Sequence, residues 1–589
     1  MKSLQLIPRV VCMGFAAMAS AAMGADTPDA AFLDPGALTW TTVVNSQDQM
    51  PGAPEGRTFN SFNQPSVNAR GLVVMRARST GGPPFGPATH GIYTRDMSSA
   101  GNAIVRILDR TTEVPQPNNI HYPPDAPGLT TFVETPSFPR IDLWSDTIAT
   151  RGNHQPVWEY PLEDGTETRA GTTGIYTNPF GDLITGAAKL GAVPGFEFWA
   201  VPGIEPLTPF DVFPGSPSIT RGRTIVFKGN YTVDGVGKTG VFYRKLADRP
   251  IVLPDGTTLA PAGGESRVML IANSTETVIP GTDPPVIFGS TSPPTAVGSR
   301  MVFAGFDNEE QPTVGGIYLA PLQERPTLRR LVRINQRVPG ESSRDRFNAL
   351  GEGAAYDGRF VGFWGAWGKE TWTKRLYCPQ EGNKDRIDFC NQRLVCADTG
   401  ETLGDPGSIC NDVSDPLYGI SCYQEREIPV RQGIFVQDTL PFAALRAIAK
   451  TGEQFDDFLF WNYSGKVPCV GSGHSAEGSE DDGELARWRS SAFVAVSKRY
   501  TAFKAVAGEV VGVYLGRRAS EGILTVLDTT TDAQVLDPNA PAGATITELG
   551  LEREGLRGNW LVINAKMGVA GGSEEEGLAG IYITSLPQP

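Results

Sequence analysis

Two short runs in this chain carry residue types that could do chemistry. Arg151-Gly152-Asn153-His154 and Lys228-Gly229-Asn230-Tyr231 each place a cation three residues before a group able to move a proton. Arg76 and Arg78 stand at the corresponding place in an earlier stretch. Elimination from a uronate needs such a set. A cation neutralises the carboxylate, one group abstracts the C5 proton, and another protonates the departing oxygen. In that scheme His154 and Tyr231 are the catalytic pair and Arg151 activates the carboxylate. Arg76, Arg78 and Lys228 then hold the substrate. The competing reading is that these are ordinary polar groups in loops.

The chain has only four histidines. His90 and His121, with His154, could converge on a structural divalent metal, although a metal site rests on ligand count and geometry rather than on scattered single residues. No other cofactor is expected. The acidic run Glu480-Asp481-Asp482-Gly483-Glu484 lacks the alternating carboxylates of a calcium loop. No G-x-S-x-G, H-E-x-x-H or Walker-type phosphate loop occurs. Serine hydrolase, zincin and nucleotidase readings lose support accordingly.

The elements that must position these residues recur. A Gly, an aliphatic residue and an aromatic return together seven times, at Gly91, Gly174, Gly240, Gly316, Gly433, Gly512 and Gly580. Before each lies a short apolar β run, such as Leu72-Val73-Val74-Met75 or Thr224-Ile225-Val226-Phe227. Such runs, bounded by turn residues, predict buried strands. With a short run before and another after, each unit predicts four antiparallel strands, A to D, which is one propeller blade. The seventh unit stops at Pro589, before a D strand, while Thr41-Thr42-Val43-Val44-Asn45 is a D-like strand with nothing before it. The expectation is an all-β, seven-bladed β-propeller over residues 25–589, closed by its N-terminal strand so that no sheet edge is left open.

The stretch Asn68-Ala69-Arg70-Gly71-Leu72-Val73-Val74-Met75 resembles the bacterial secreted tandem-repeat proteins built from N-x-x-G-x-x-A-F units. That resemblance implies a propeller-like repeat and no particular activity. His154, Tyr231 and Arg244, in that order, also look like the His, Tyr and Arg on the active face of seven-bladed propeller polysaccharide lyases, some of which carry a structural metal. What this implies is elimination chemistry at those residues.

Residues 1–24 read as a secretory signal: Lys2 and Arg9, then an apolar stretch, then small residues. No other stretch is long enough to span a bilayer. The formal charge of −14 argues against nucleic acid as a partner and leaves room for a local basic pocket. After the signal, six cysteines remain: Cys378, Cys390, Cys396, Cys410, Cys422 and Cys469. None forms C-x-x-C, so an even set in a secreted chain predicts three disulfides of unspecified pairing. They mark a cysteine-rich insertion at residues 370–432, inside blade five, between strands B and C. It is expected to hold by crosslinks rather than by a core.

B–C and D–A connections share one face of the ring, and here they are the long ones. The primary expectation is a periplasmic or secreted, monomeric propeller that binds an extracellular polymer through that face. The partner would be a glycan, or alternatively an envelope protein, with no catalysis or with an activity the sequence does not name. The alternative is the lyase described above.

Overall fold

The computed structural model describes residues 38–587 apart from 120–129, 156–157, 162–166, 171–172, 261, 381, 398, 470–484, 518–521, 570 and 572–576. Residues 1–24 and His121 lie outside the described residues. Seven antiparallel sheets form a closed β-propeller. Blade one has B, C and D strands Leu72–Ser79, His90–Asp96 and Val105–Asp109. Its A strand is broken into Phe59–Phe62 and Ser66–Val67, both paired to strand B. The N-terminal strand Trp40–Asn45 pairs with Leu578–Ser585 and becomes the outermost strand of blade seven, as expected.

The recurring Gly-aliphatic-aromatic phrase has a structural cause. In every blade the C–D register slips between the aliphatic and the aromatic position, for example between Ile92 and Tyr93 or Val513 and Tyr514. The bulged strand pushes a carbonyl against the glycine. A Cβ on Gly91 would sit 2.3 Å from the Leu108 carbonyl oxygen, and on Gly316 2.0 Å from that of Val332. No other residue fits there.

The aromatic of the phrase then meets a phenylalanine edge-to-face in six blades. Phe59–Tyr93, Phe132–Tyr176, Phe210–Phe242, Phe288–Tyr318, Phe347–Phe435 and Phe455–Tyr514 have centroids 4.7–5.3 Å apart. Blade seven departs from this pattern. There the Tyr582 hydroxyl donates to Asp537 at 3.1 Å, and Asn45 Nδ2 donates to the same carboxylate oxygen at 3.0 Å, which ties down the closing strand.

The N-x-x-G run is the A–B turn of blade one. Asn68 Oδ1 accepts the backbone N–H groups of Arg70 and Leu72 at 2.9 and 3.0 Å, and its Nδ2 donates to the Ser145 carbonyl of blade two. Gly71 takes a φ of +91° with the Trp560 ring beside it. One buried amide thus fixes a turn and joins two blades.

The ring axis is filled by blade seven. Its A-strand break carries Glu552, Arg553, Glu554 and Arg557, all buried except for a small part of Arg553. Glu552 pairs with Arg140 of blade two, and Arg557 with Glu554 at 3.2 Å. Arg557 Nη1 also donates to the Tyr356 carbonyl of blade five at 2.7 Å. The Glu554 carbonyl accepts the backbone N–H of Val67 in blade one.

Blade five carries the insertion. Strands Phe360–Tyr377 and Tyr423–Asp438 run on past the sheet as a two-stranded arm, paired from Thr371↔Pro429 to Tyr377↔Tyr423. At its tip the disulfides are Cys378–Cys390, Cys396–Cys469 and Cys410–Cys422. The expectation that this segment lacks a core is corrected. Phe389, Leu394 and the buried cysteines pack with Tyr463, Val467 and Ala486 of the connection that follows blade five. Tyr463 donates to the buried Asp405 carboxylate at 2.6 Å, and Arg386 Nε donates to the Gly465 carbonyl at 3.0 Å. The cap is therefore braced from two sides.

Candidate functional site

His154 and Tyr231 occupy equivalent register positions, two residues past Gly152 and Gly229, which pair with Gly174 and Gly240. They do not sit on loops. His154 belongs to strand Ile148–Gln155 and Tyr231 to strand Thr224–Val233. Each faces the interface with the preceding blade, as the pleat dictates. His154 shares a face with Ile148, in the core between blades one and two, and Tyr231 shares one with Ile225 and Phe227, in the core between blades two and three. The sheet of blade two therefore separates the two side chains. Met567, at the matching position of blade seven, is buried as well.

His154 is 1% exposed, and neither ring nitrogen has a hydrogen-bond partner among the described residues. Burial, with a smaller contribution from Lys189, brings its pKa down to about 3, so the ring is neutral. Tyr231 is fully buried, shares a 2.7 Å hydrogen bond with the Thr275 hydroxyl, and is pushed up by burial. Arg151, 3% exposed, lies on the opposite face of its strand from His154, and its Nε donates to Thr173 Oγ1 at 3.4 Å.

The glycines in the two runs have a packing role. A Cβ on Gly152 would meet Phe132 at 2.5 Å, and one on Gly229 would meet Phe210 at 2.6 Å. Gly305 and Gly365 stand under Phe288 and Phe347 in the same way. A cation also stands at this position beyond blades one to three. Lys504 of blade six holds the position of Arg151 and Lys228. Its Nζ lies 4.0 Å from the Phe460 ring centroid, and burial lowers its pKa to about 8.

Arg244 is wholly interior. Nε and Nη1 donate to the Ser266 and Gly186 carbonyls at 2.7 Å each, and Nη2 donates to the Gly264 carbonyl. The guanidinium lies 5.2 and 5.4 Å from the Phe198 and Trp199 ring centroids. Burial alone lowers its pKa to about 9. Lys228 is half-buried.

The structure does bring Arg76, Arg78 and His90 together. Arg78 lies directly across from His90, which opens strand C of blade one. Arg76 is half-buried, donates to Asn63 Oδ1 at 3.1 Å and lies 3.7 Å from Glu134; Arg78 is exposed. Burial first, then Arg76, Arg110 and Arg78, bring the His90 pKa down to about 3. Among the described residues no group of three or more His, Cys, Asp or Glu side chains could hold a metal ion.

The cavity at the ring axis opens on the other face. A space of about 240 Å³ lies where the A–B turns of blades two, five, six and seven meet, lined by Trp144, Asp357, Lys498, Arg499, Tyr500 and Arg557 among others. Sequence reasoning passed over these turns because they are short. The signal was an exposed-type aromatic in one turn and a Lys-Arg pair in another.

No protein-family model matches the chain, and no curated protein sequence does. Among solved structures it is similar to an acylaminoacyl peptidase bound to a chloromethyl ketone, at 9% identity and a TM-score of 0.36, over 90% of this chain and 51% of that one. It is also similar to the Trypanosoma rangeli sialidase bound to the inhibitor DANA, at 10% identity and a TM-score of 0.31, over 82% and 60%. The chain thus spans about half to three fifths of the length of these structures.

Proposed function

We propose that this is a binding propeller of the periplasm or cell exterior that recognises an extracellular glycan through its B–C/D–A face without cleaving it. The observation that carries the reading is the braced cap. Its own core, three disulfides and a link to the next connection give a rigid platform over that face. The arm and cap leave Trp372 and Tyr418 partly in solvent, 38% and 51% exposed, and Lys374 Nζ lies 5.6 Å from the Trp372 ring centroid. Aromatic faces beside charged groups suit a sugar ring, which stacks on one side and hydrogen-bonds at its rim. Disulfides support an oxidising compartment and agree with a leader at residues 1–24. Among the described residues no helix is long and apolar enough to cross a membrane.

The lyase alternative draws less support. Elimination needs a base and an acid on one substrate, and His154 and Tyr231 lie in separate blade interfaces, closed to solvent. An envelope-protein partner has one specific observation in its favour: Val395, Val413 and Ile420 of the cap are 61–77% exposed. Screening the mature protein on a glycan array, beside Trp372→Ala and Tyr418→Ala, separates these readings. Retention of a glycan that both variants lose supports the proposal. Retention unaffected by them, or none at all, contradicts it.

A further inference from the structure

Beyond the loop face, the opposite end of the ring has the makings of a site of its own. The inner wall of the axial cavity combines three features. The first is an unsatisfied donor and acceptor. Arg557 is 2% exposed and its Nε has no partner among the described residues, although Nη1 and Nη2 are both engaged. Asp357 Oδ1 accepts the backbone N–H groups of Arg359 and Phe360 at 2.8 and 2.7 Å, while its buried Oδ2 accepts none. Buried polar groups without partners are costly unless a bound molecule or water completes them.

The second feature is charge. Lys498 and Arg499 are exposed and make no ion pair among the described residues. They place positive potential at the mouth of a cavity in a chain of net charge −14. The third is an aromatic platform. Trp144, on the A–B turn of blade two, is 65% exposed, and Tyr500 lies across from it on blade six.

We infer that this mouth binds a carboxylated sugar residue. The sugar's hydroxyl groups face the wall that Asp357 and Arg557 line. The carboxylate pairs with Lys498 and Arg499. The apolar face of the ring lies on Trp144. The volume is somewhat below the roughly 300–1,000 Å³ of pockets for drug-sized ligands, which suits a single sugar unit. An inorganic anion would leave Trp144 unused.

The test is calorimetric titration of the full mature protein with glucuronate, a glucuronate-containing tetrasaccharide, glucose and inorganic phosphate. Saturable binding of glucuronate or of the tetrasaccharide, but not of glucose or phosphate, is expected. Binding of the tetrasaccharide alone assigns the site to a unit within a chain; binding of both admits the free sugar. Lys498→Ala/Arg499→Ala should weaken binding at least tenfold and Trp144→Ala about fivefold, with melting temperatures unchanged because these side chains are exposed. Equal binding of glucose or phosphate, no binding of either uronate, or affinity untouched by the variants overturns the inference. Since none of these residues lies on the cap, the outcome is independent of the Trp372 and Tyr418 result.

Discussion

Arg553 of blade seven donates from Nη1 to the carbonyl oxygen of Pro293 in blade four at 3.0 Å, reaching across the ring axis. With Arg140 and Glu552 it makes the hub a buried charge network rather than an open channel. Burial, opposed by Glu552 and Glu554, lowers the Arg553 pKa to about 10.

Removing one member of that hub leaves a buried charge unpaired. Glu552→Leu should cost about 3–5 kcal/mol, and the double variant Arg140→Met/Glu552→Leu should regain much of it. Denaturant unfolding of the three proteins checks this. A neutral single variant contradicts the hub.

The closing strand is the second point of leverage. Deleting residues 37–52 removes Val43, Val44 and Met50, all fully buried, and opens an edge on blade seven. At about 1.5–3 kcal/mol for each buried side chain, the loss rivals the whole stability of a typical domain. The truncated protein should aggregate or melt far earlier. Unchanged melting and solubility would refute closure.

Much of the ring was legible in the sequence because the signals are local: strand alternation, turn residues and a phrase whose glycine and aromatic answer one bulge. The site was not. Whether His154 faces solvent depends on Phe132 and Tyr176 across the sheet and on the preceding blade, which no short window contains. Arg-Gly-Asn-His looked like chemistry, yet Gly152 is there for Phe132. Glu552-Arg553-Glu554 reads as a solvated run until its partners in blades two and four are seen.

Histidine burial sets a pH dependence. His154 and His90 have folded pKa values near 3, below the usual 6.5, so unfolding takes up protons in acid. Their contribution is fully present above pH 6.5 and is lost as the pH falls toward 3. His154→Phe should match or exceed the wild type at pH 7.5 and lose less stability between pH 6.5 and 4. Parallel declines in melting temperature would show that His154 is not buried neutral.

The Cys396–Cys469 bridge spans 73 residues and joins the cap to its brace, while the other two span 12 each. In the chain-entropy picture it contributes about 4 kcal/mol against about 3 for each short loop. Cys396→Ser/Cys469→Ser should speed proteolysis within residues 378–422 and leave the ring intact. Unfolding of the whole propeller would show that the cap is not peripheral.

Recognition without cleavage is tested most directly by incubating the mature protein with uronate polymers while following the ultraviolet absorbance of unsaturated ends. The account predicts no rise with the wild type, because His154 and Tyr231 are buried in separate blade interfaces. A rise that disappears in both His154→Ala and Tyr231→Phe would contradict it and restore those residues as catalytic.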